Sequence, residues 1–119
     1  MKHQSGKNKL NMKAPHKRSL LRNQVIHLIT YGHLVSTKAR VKAVQRLAEK
    51  CVTIARKGKE DFNARRQVKA LLPYKEDALL KLFVEVAPRY IGRPGGYTRV
   101  IPMGKRVSDT AVVARLEWV

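Results

Sequence analysis

The chain has 119 residues, enough for one domain with a modest apolar core and too few for two. A hydrophobic share of 44% argues against wholesale disorder, and the single Cys51 rules out an internal disulfide and fits a reducing compartment. The net charge of +18, from 26 Lys and Arg against 8 Asp and Glu, demands a polyanionic partner, because so unbalanced a surface repels itself until counter-charge arrives.

Residues 1–14 read as a basic arm, with Lys2, His3, Lys7, Lys9 and Lys13 among polar residues and no apolar periodicity. No secretory signal is expected, since residues 1–13 hold no apolar run. Pro15 suits the first turn of a helix, where its missing N–H costs nothing. Leu21, Val25, Leu28 and Ile29 then fall on one helical face, and Gly32 is placed to end that helix in a left-handed cap. Residues 34–37 are too few for a helix and predict a brief extended link or edge strand, with Ser36 or Thr37 capping the next helix.

The second helix is predicted over residues 38–57, with Val44, Leu47, Ala48, Cys51 and Ala55 inward and Gly58 as its stop. A third starts at Asp61 and ends before Pro73. A fourth covers residues 75–87 with Leu79, Leu82, Phe83 and Val86 inward, closed by Pro88. The acidic pairs Glu60-Asp61 and Glu76-Asp77 sit at predicted helix starts, where negative charge meets the positive end of the dipole. After the turn cluster Gly92-Arg93-Pro94-Gly95-Gly96 the period changes. Residues 97–101 predict a strand, and beyond a turn at 104–109 the alternation of Val112, Ala114, Leu116 and Trp118 predicts a second, antiparallel one. The expected fold class is α+β: about four helices packed on a small antiparallel sheet, residues 15–119 as one domain preceded by the basic arm 1–14.

Catalytic signals are poor. There is no phosphate-binding loop, and Gly92, Gly95 and Gly96 lack the strand–turn–helix setting of a dinucleotide fingerprint. His3, His16, His27 and His33 are dispersed, with no Cys or His at metal-ligand spacing. Cys51 lies on an apolar stripe, which predicts a core thiol and not a nucleophile. The acidic pairs are explained by helix-start stabilisation without a metal ion. No catalytic residue, metal, cofactor or small-molecule substrate is therefore expected. No apolar run approaches the length of a membrane span, and the basic helices lack the aromatic, Leu-rich face of a membrane-surface helix.

The distribution of charge is more informative. Eleven of the cations, and none of the acids, precede Glu49. His16, Lys17, Arg18 and Arg22 crowd the start of the first predicted helix, and Lys38, Arg40, Lys42 and Arg46 the start of the second. Cations there oppose the helix dipole, a cost that bound phosphates offset. A second cluster interleaves arginines with aromatics: Arg89, Tyr90, Arg93, Tyr97 and Arg99. Arginine holds phosphate by bidentate bonds, and a tyrosine either stacks on an unpaired base or packs under the helix–sheet core. Nothing resembles a sequence-reading DNA or RNA motif, so recognition is expected through shape and backbone. On charge alone an RNA-binding protein and an architectural DNA-binding protein both remain open.

The ordered motifs separate them. Met1-Lys2-His3 with Gly6-Lys7 and Lys9-Leu10, then His16-Lys17-Arg18 and Leu20-Leu21-Arg22-Asn23, open the chain. Lys81-Leu82-Phe83, Ala87-Pro88-Arg89-Tyr90, Gly95-Gly96-Tyr97-Thr98-Arg99 and Ala114-Arg115-Leu116-Glu117 follow at fixed spacing. Over nearly its whole length the chain resembles the bacterial-type large-subunit ribosomal protein L17 family. It departs from the family pattern at Gln4, Ala43 and Ser108. The resemblance implies a non-enzymatic structural protein of the cytoplasmic, or an organellar, ribosome. It further implies contacts with large-subunit rRNA and neighbouring large-subunit proteins, and an arm threaded into the RNA. The residues expected to contact rRNA are Lys2, His3, Lys7, Lys9 and Lys13 of the arm, the backbone clamp His16, Lys17, Arg18, Arg22, Lys38, Arg40 and Lys42, and a second contact from Arg93, Tyr97 and Arg99.

Overall fold

A computed structural model describes Leu10 and residues 12–58, 60–73 and 75–119. Helix α1 (Ala14–Tyr31) opens with Pro15 in its first turn and closes on Gly32. The latter takes φ +84°, and its N–H returns to the Leu28 carbonyl at 2.8 Å. That left-handed turn is open to glycine without strain and lets the chain reverse directly into strand β1 (His33–Thr37). Helix α2 (Lys38–Ala55) follows at once, then α3 (Phe62–Leu71) and α4 (Glu76–Lys81). Asp61 caps α3 as expected, its Oδ1 accepting from the amides of Asn63 and Ala64 at 3.0 and 3.1 Å. Thr37, by contrast, occupies the N-cap of α2 without a side-chain bond to it.

The fourth predicted helix is the main local correction. Only Glu76–Lys81 is α-helical; Leu82–Val86 widens into a π turn, and Ala87–Tyr90 tightens into a 3-10 turn. Pro88 supplies the physical reason. It has no N–H to donate, and its ring would collide with the carbonyl four residues back, so the chain leaves α geometry before reaching it. The wide turn still directs Leu82, Phe83 and Val86 inward, in keeping with the apolar periodicity.

Strands β2 (Thr98–Lys105) and β3 (Val112–Trp118) form an antiparallel hairpin, and β1 adds to the far side of β3, giving the order β1-β3-β2. β2 runs beyond residue 101, across a bulge between Pro102 and Gly104. A bulge accommodates Pro102, which cannot donate to a ladder, and Gly104 takes φ +85° there. The tip is closed by Arg106 and Asp109, paired at 2.7 Å, while Thr110 carries the positive φ of +56°. Ser108 is not left-handed, so the turn does not require a glycine at that position.

Register explains which sheet face is dry. Leu34 and Val100 both pair with Leu116, so one row of apolar side chains crosses all three strands. Ala114 lies one step along, and Leu34, Ala114 and Leu116 are buried. They meet Val25, Leu28 and Ile29 of α1, Val41, Val44, Ala48, Cys51 and Val52 of α2, and Leu82 and Val86 in a single core. Burial of each such large side chain is worth about 1.5–3 kcal/mol. Two polar ties cross this core's rim. Lys81 Nζ donates to the Thr30 carbonyl at 2.8 Å, serving the last turn of α1, and Trp118 Nε1 donates to Leu28 O at 3.4 Å.

Candidate nucleic-acid interface

α2 carries the most regular cationic surface. Its buried positions are Val41, Val44, Ala48, Cys51, Val52 and Ala55. Lys38, Lys42, Arg46 and Lys50 recur every fourth residue and are all exposed. At 3.6 residues per turn this row stays on the side away from the core, with about 6 Å of rise between successive cations. Lys57 continues the row past the helix end. Arg40 is half-buried and lies nearer the core side of the helix, away from the row.

The one acid of α2, Glu49, is turned aside from this row. Its Oε2 accepts from Thr98 Oγ1 at 2.7 Å, and Thr98 Oγ1 in turn accepts from Gln45 Nε2 at 3.1 Å. Gln45, Glu49, Thr53 and Arg56 thus form a polar flank of α2 that docks the start of β2. Arg56 Nη1 donates to the Tyr97 hydroxyl and to the Arg93 carbonyl, both at 2.7 Å. Thr53 gives its own proton to the Glu49 carbonyl at 2.9 Å, so the Tyr97 hydroxyl donates to Thr53 Oγ1 at 3.3 Å. This relay fixes the glycine turn to α2. The spacing of the polar row, i, i+4 and i+8, is its only trace in the sequence.

Tyr97 is corrected by this geometry. Its exposure is 0%, its ring lies 5.2 Å from that of Tyr90, and its hydroxyl is committed to Arg56 and Thr53. A base cannot stack on a ring that is wholly covered, so of the two readings open to Tyr97 the packing one holds. Tyr90 is buried too, its hydroxyl donating to Val119 O at 2.8 Å. Arg93 and Arg99 remain exposed on either side of Tyr97; Arg99 faces Glu117 at 3.9 Å across the β2–β3 register, and Arg115 approaches the same carboxylate at 3.6 Å.

On α1, His16 and Arg18 are exposed, as is Lys13 just before it, while Lys17 and Arg22 are half-buried. Arg22 Nη2 reaches the Ala70 carbonyl at 3.5 Å, a weak tie to the end of α3. No residue of α1 before Val25 is fully buried, so its leading half lies at the rim of the body. Lys2, His3, Lys7 and Lys9 fall outside the described residues. α1 and α2 have no acid in their first turns, and neither N-cap side chain bonds to the helix amides. α3 and α4 differ: Asp61 caps one, and Glu76 and Asp77 sit in the first turn of the other. Asp61, Glu76 and Asp77 thus stand at the starts of α3 and α4, while the starts of α1 and α2 carry cations and no N-cap side-chain bond.

Among the described residues no three His, Cys, Asp or Glu side chains converge on a metal-sized site. Burial pushes the Cys51 thiol up to about 12, only slightly countered by Lys50, so it stays protonated and inert at neutral pH. Among the described residues no helix is long and apolar enough to cross a membrane.

Comparison with known proteins agrees in direction. A family model described as ribosomal protein L17 matches residues 20–119. A protein of Desulforudis audaxviator named "Large ribosomal subunit protein bL17" is 45% identical, the match covering 96% of this chain and 99% of that one. A protein of the same name from Clostridium acetobutylicum is 43% identical over 97% and 98% of the two chains. A third, from Trichlorobacter lovleyi, is 36% identical over 100% and 94%.

Proposed function

Because the chain belongs to the ribosomal protein L17 family, we propose that it is a non-enzymatic structural constituent of the large ribosomal subunit. It binds the large-subunit rRNA through phosphate-backbone and shape contacts, in the company of neighbouring large-subunit proteins, and works in the cytoplasm as part of the ribosome. Residues 15–119 form the RNA-binding domain and residues 1–14 a basic arm that enters the RNA. The observation that carries this reading is the row Lys38, Lys42, Arg46 and Lys50, set on an exposed helix face whose one acid is bonded elsewhere. Regularly spaced cations suit a run of phosphates: each phosphate neutralised releases condensed counterions, which favours binding without reading sequence. His16, Lys17, Arg18 and Arg22 extend the same chemistry along α1, and Arg93 and Arg99 supply it at the glycine turn.

The test is a salt titration of the purified chain on large-subunit rRNA, with duplex DNA as the competing ligand. Affinity should fall with log salt by about 0.7–0.9 per neutralised phosphate. A chain with Lys42→Gln, Arg46→Gln and Lys50→Gln should fold normally and lose about two to three units of that slope. Equal affinity for duplex DNA, or an unchanged slope in the triple variant, would overturn the reading.

A further inference from the structure

The surface between α3 and α4 holds a feature that the cationic row does not use. Phe62 opens α3 with 62% of its surface exposed, although a short helix of this kind gains most by turning its aromatic residue inward. The i+3 and i+4 positions bring Arg65 and Arg66 onto the same side. Their guanidinium carbons lie 5.9 and 5.7 Å from the ring centroid, at the limit of cation–π range. The ring lines a groove of about 910 Å³ between α3 and α4. Across that groove stand Leu80, 58% exposed, and the carboxylates of Glu76 and Asp77.

We propose that this groove seats an unpaired nucleotide of RNA, with its base on Phe62 and its phosphates on Arg65 and Arg66. The groove is roomy enough to admit a base with its ribose and phosphate. The walls are chemically unlike, and that asymmetry fits a nucleotide better than a peptide. α3 offers an aromatic ring with two guanidinium forks, the combination that stacks a base and grips phosphate, and Glu60, just ahead of the helix, is the one carboxylate lining that wall. α4 offers carboxylates, which accept from the amino groups on base edges and repel phosphate. The nucleotide is thereby oriented, base edge toward α4 and backbone toward α3. A purely apolar peptide segment would leave both guanidinium groups desolvated without a partner. Lys69, also lining the groove, lies 3.7 Å from Glu76.

The inference rests on the rRNA-binding reading above, and the experiment separates the two. Phe62→Leu keeps an apolar residue at an exposed position, so its melting temperature should match the parent's. Its affinity for large-subunit rRNA at fixed salt should fall about tenfold, with the salt slope unchanged, because stacking and not charge is lost. Arg65→Gln with Arg66→Gln should lower the slope by about one to two units. Full affinity in Phe62→Leu, beside the weakened binding of the Lys42, Arg46 and Lys50 variant, overturns the nucleotide site and leaves the cationic row standing. The same holds if Phe62→Leu binds rRNA normally but loses chemical cross-links to a neighbouring protein, which would assign the groove to a protein partner. Failure of the parent chain to bind rRNA removes both.

Discussion

Tyr97→Phe isolates one hydroxyl in a ring that is otherwise unchanged. The ring is fully buried, so Phe fills the same space and leaves no cavity. What disappears is the acceptor for Arg56 at 2.7 Å and the donor to Thr53 at 3.3 Å. A hydrogen bond to a charged donor contributes about 1.5–3 kcal/mol, and the longer bond to a solvent-reachable threonine adds little. Arg56 keeps the Arg93 carbonyl and is half-exposed, so water recovers part of the loss. The expected cost is about 2 kcal/mol. For a domain of this size that corresponds to a melting temperature lower by about 8 °C, read by circular dichroism at fixed ionic strength. Affinity for rRNA, measured well below the transition, should be preserved. An unchanged melting temperature would mean that the hydroxyl faces water and that the relay from Arg56 to Thr53 is not formed.

Two further perturbations test the helix ends and the core. Asp61→Ala removes the acceptor of two α3 amides and should cost about 1 kcal/mol. Thr37→Ala, at an N-cap with no side-chain bond, should be nearly silent in the same melts. Cys51 should fail to react with a thiol reagent until the chain unfolds. Burial raises its pKa from 9.0 to about 12, so across that span the folded state holds a proton that the unfolded state has released. Stability should therefore fall as pH rises through the window, and the alkaline loss should be smaller in Cys51→Ala, which has no proton to lose.

The sequence by itself determines the chemistry of single residues and their near neighbours. Gly32 and Asp61 end and begin helices through bonds made within four residues, and their roles follow from their own conformational preferences. The unopposed cations ahead of Glu49 are a matter of composition, and no folding can alter the count. Inward stripes on α2 follow from helical period. Val41 and Val52 fit the same period, three residues before Val44 and four after Ala48, and they join the core with that stripe.

Where a bond spans a long stretch of chain, the sequence is silent. Tyr97 is equally fit, by its type and its neighbours, to stack on RNA or to pack; 41 residues separate it from Arg56, whose guanidinium holds its hydroxyl. Glu49 reads as merely the first acid, and only its 2.7 Å approach to Thr98 makes it the anchor of β2. Pro88 marks the end of a helix, but the π and 3-10 turns leading up to and through it express how Leu82, Phe83 and Val86 must fill the core while the backbone yields to the proline. Local preference acts over one turn of chain. The choice of which polar groups are buried together is made by packing, which weighs every segment at once, and so it belongs to the tertiary structure.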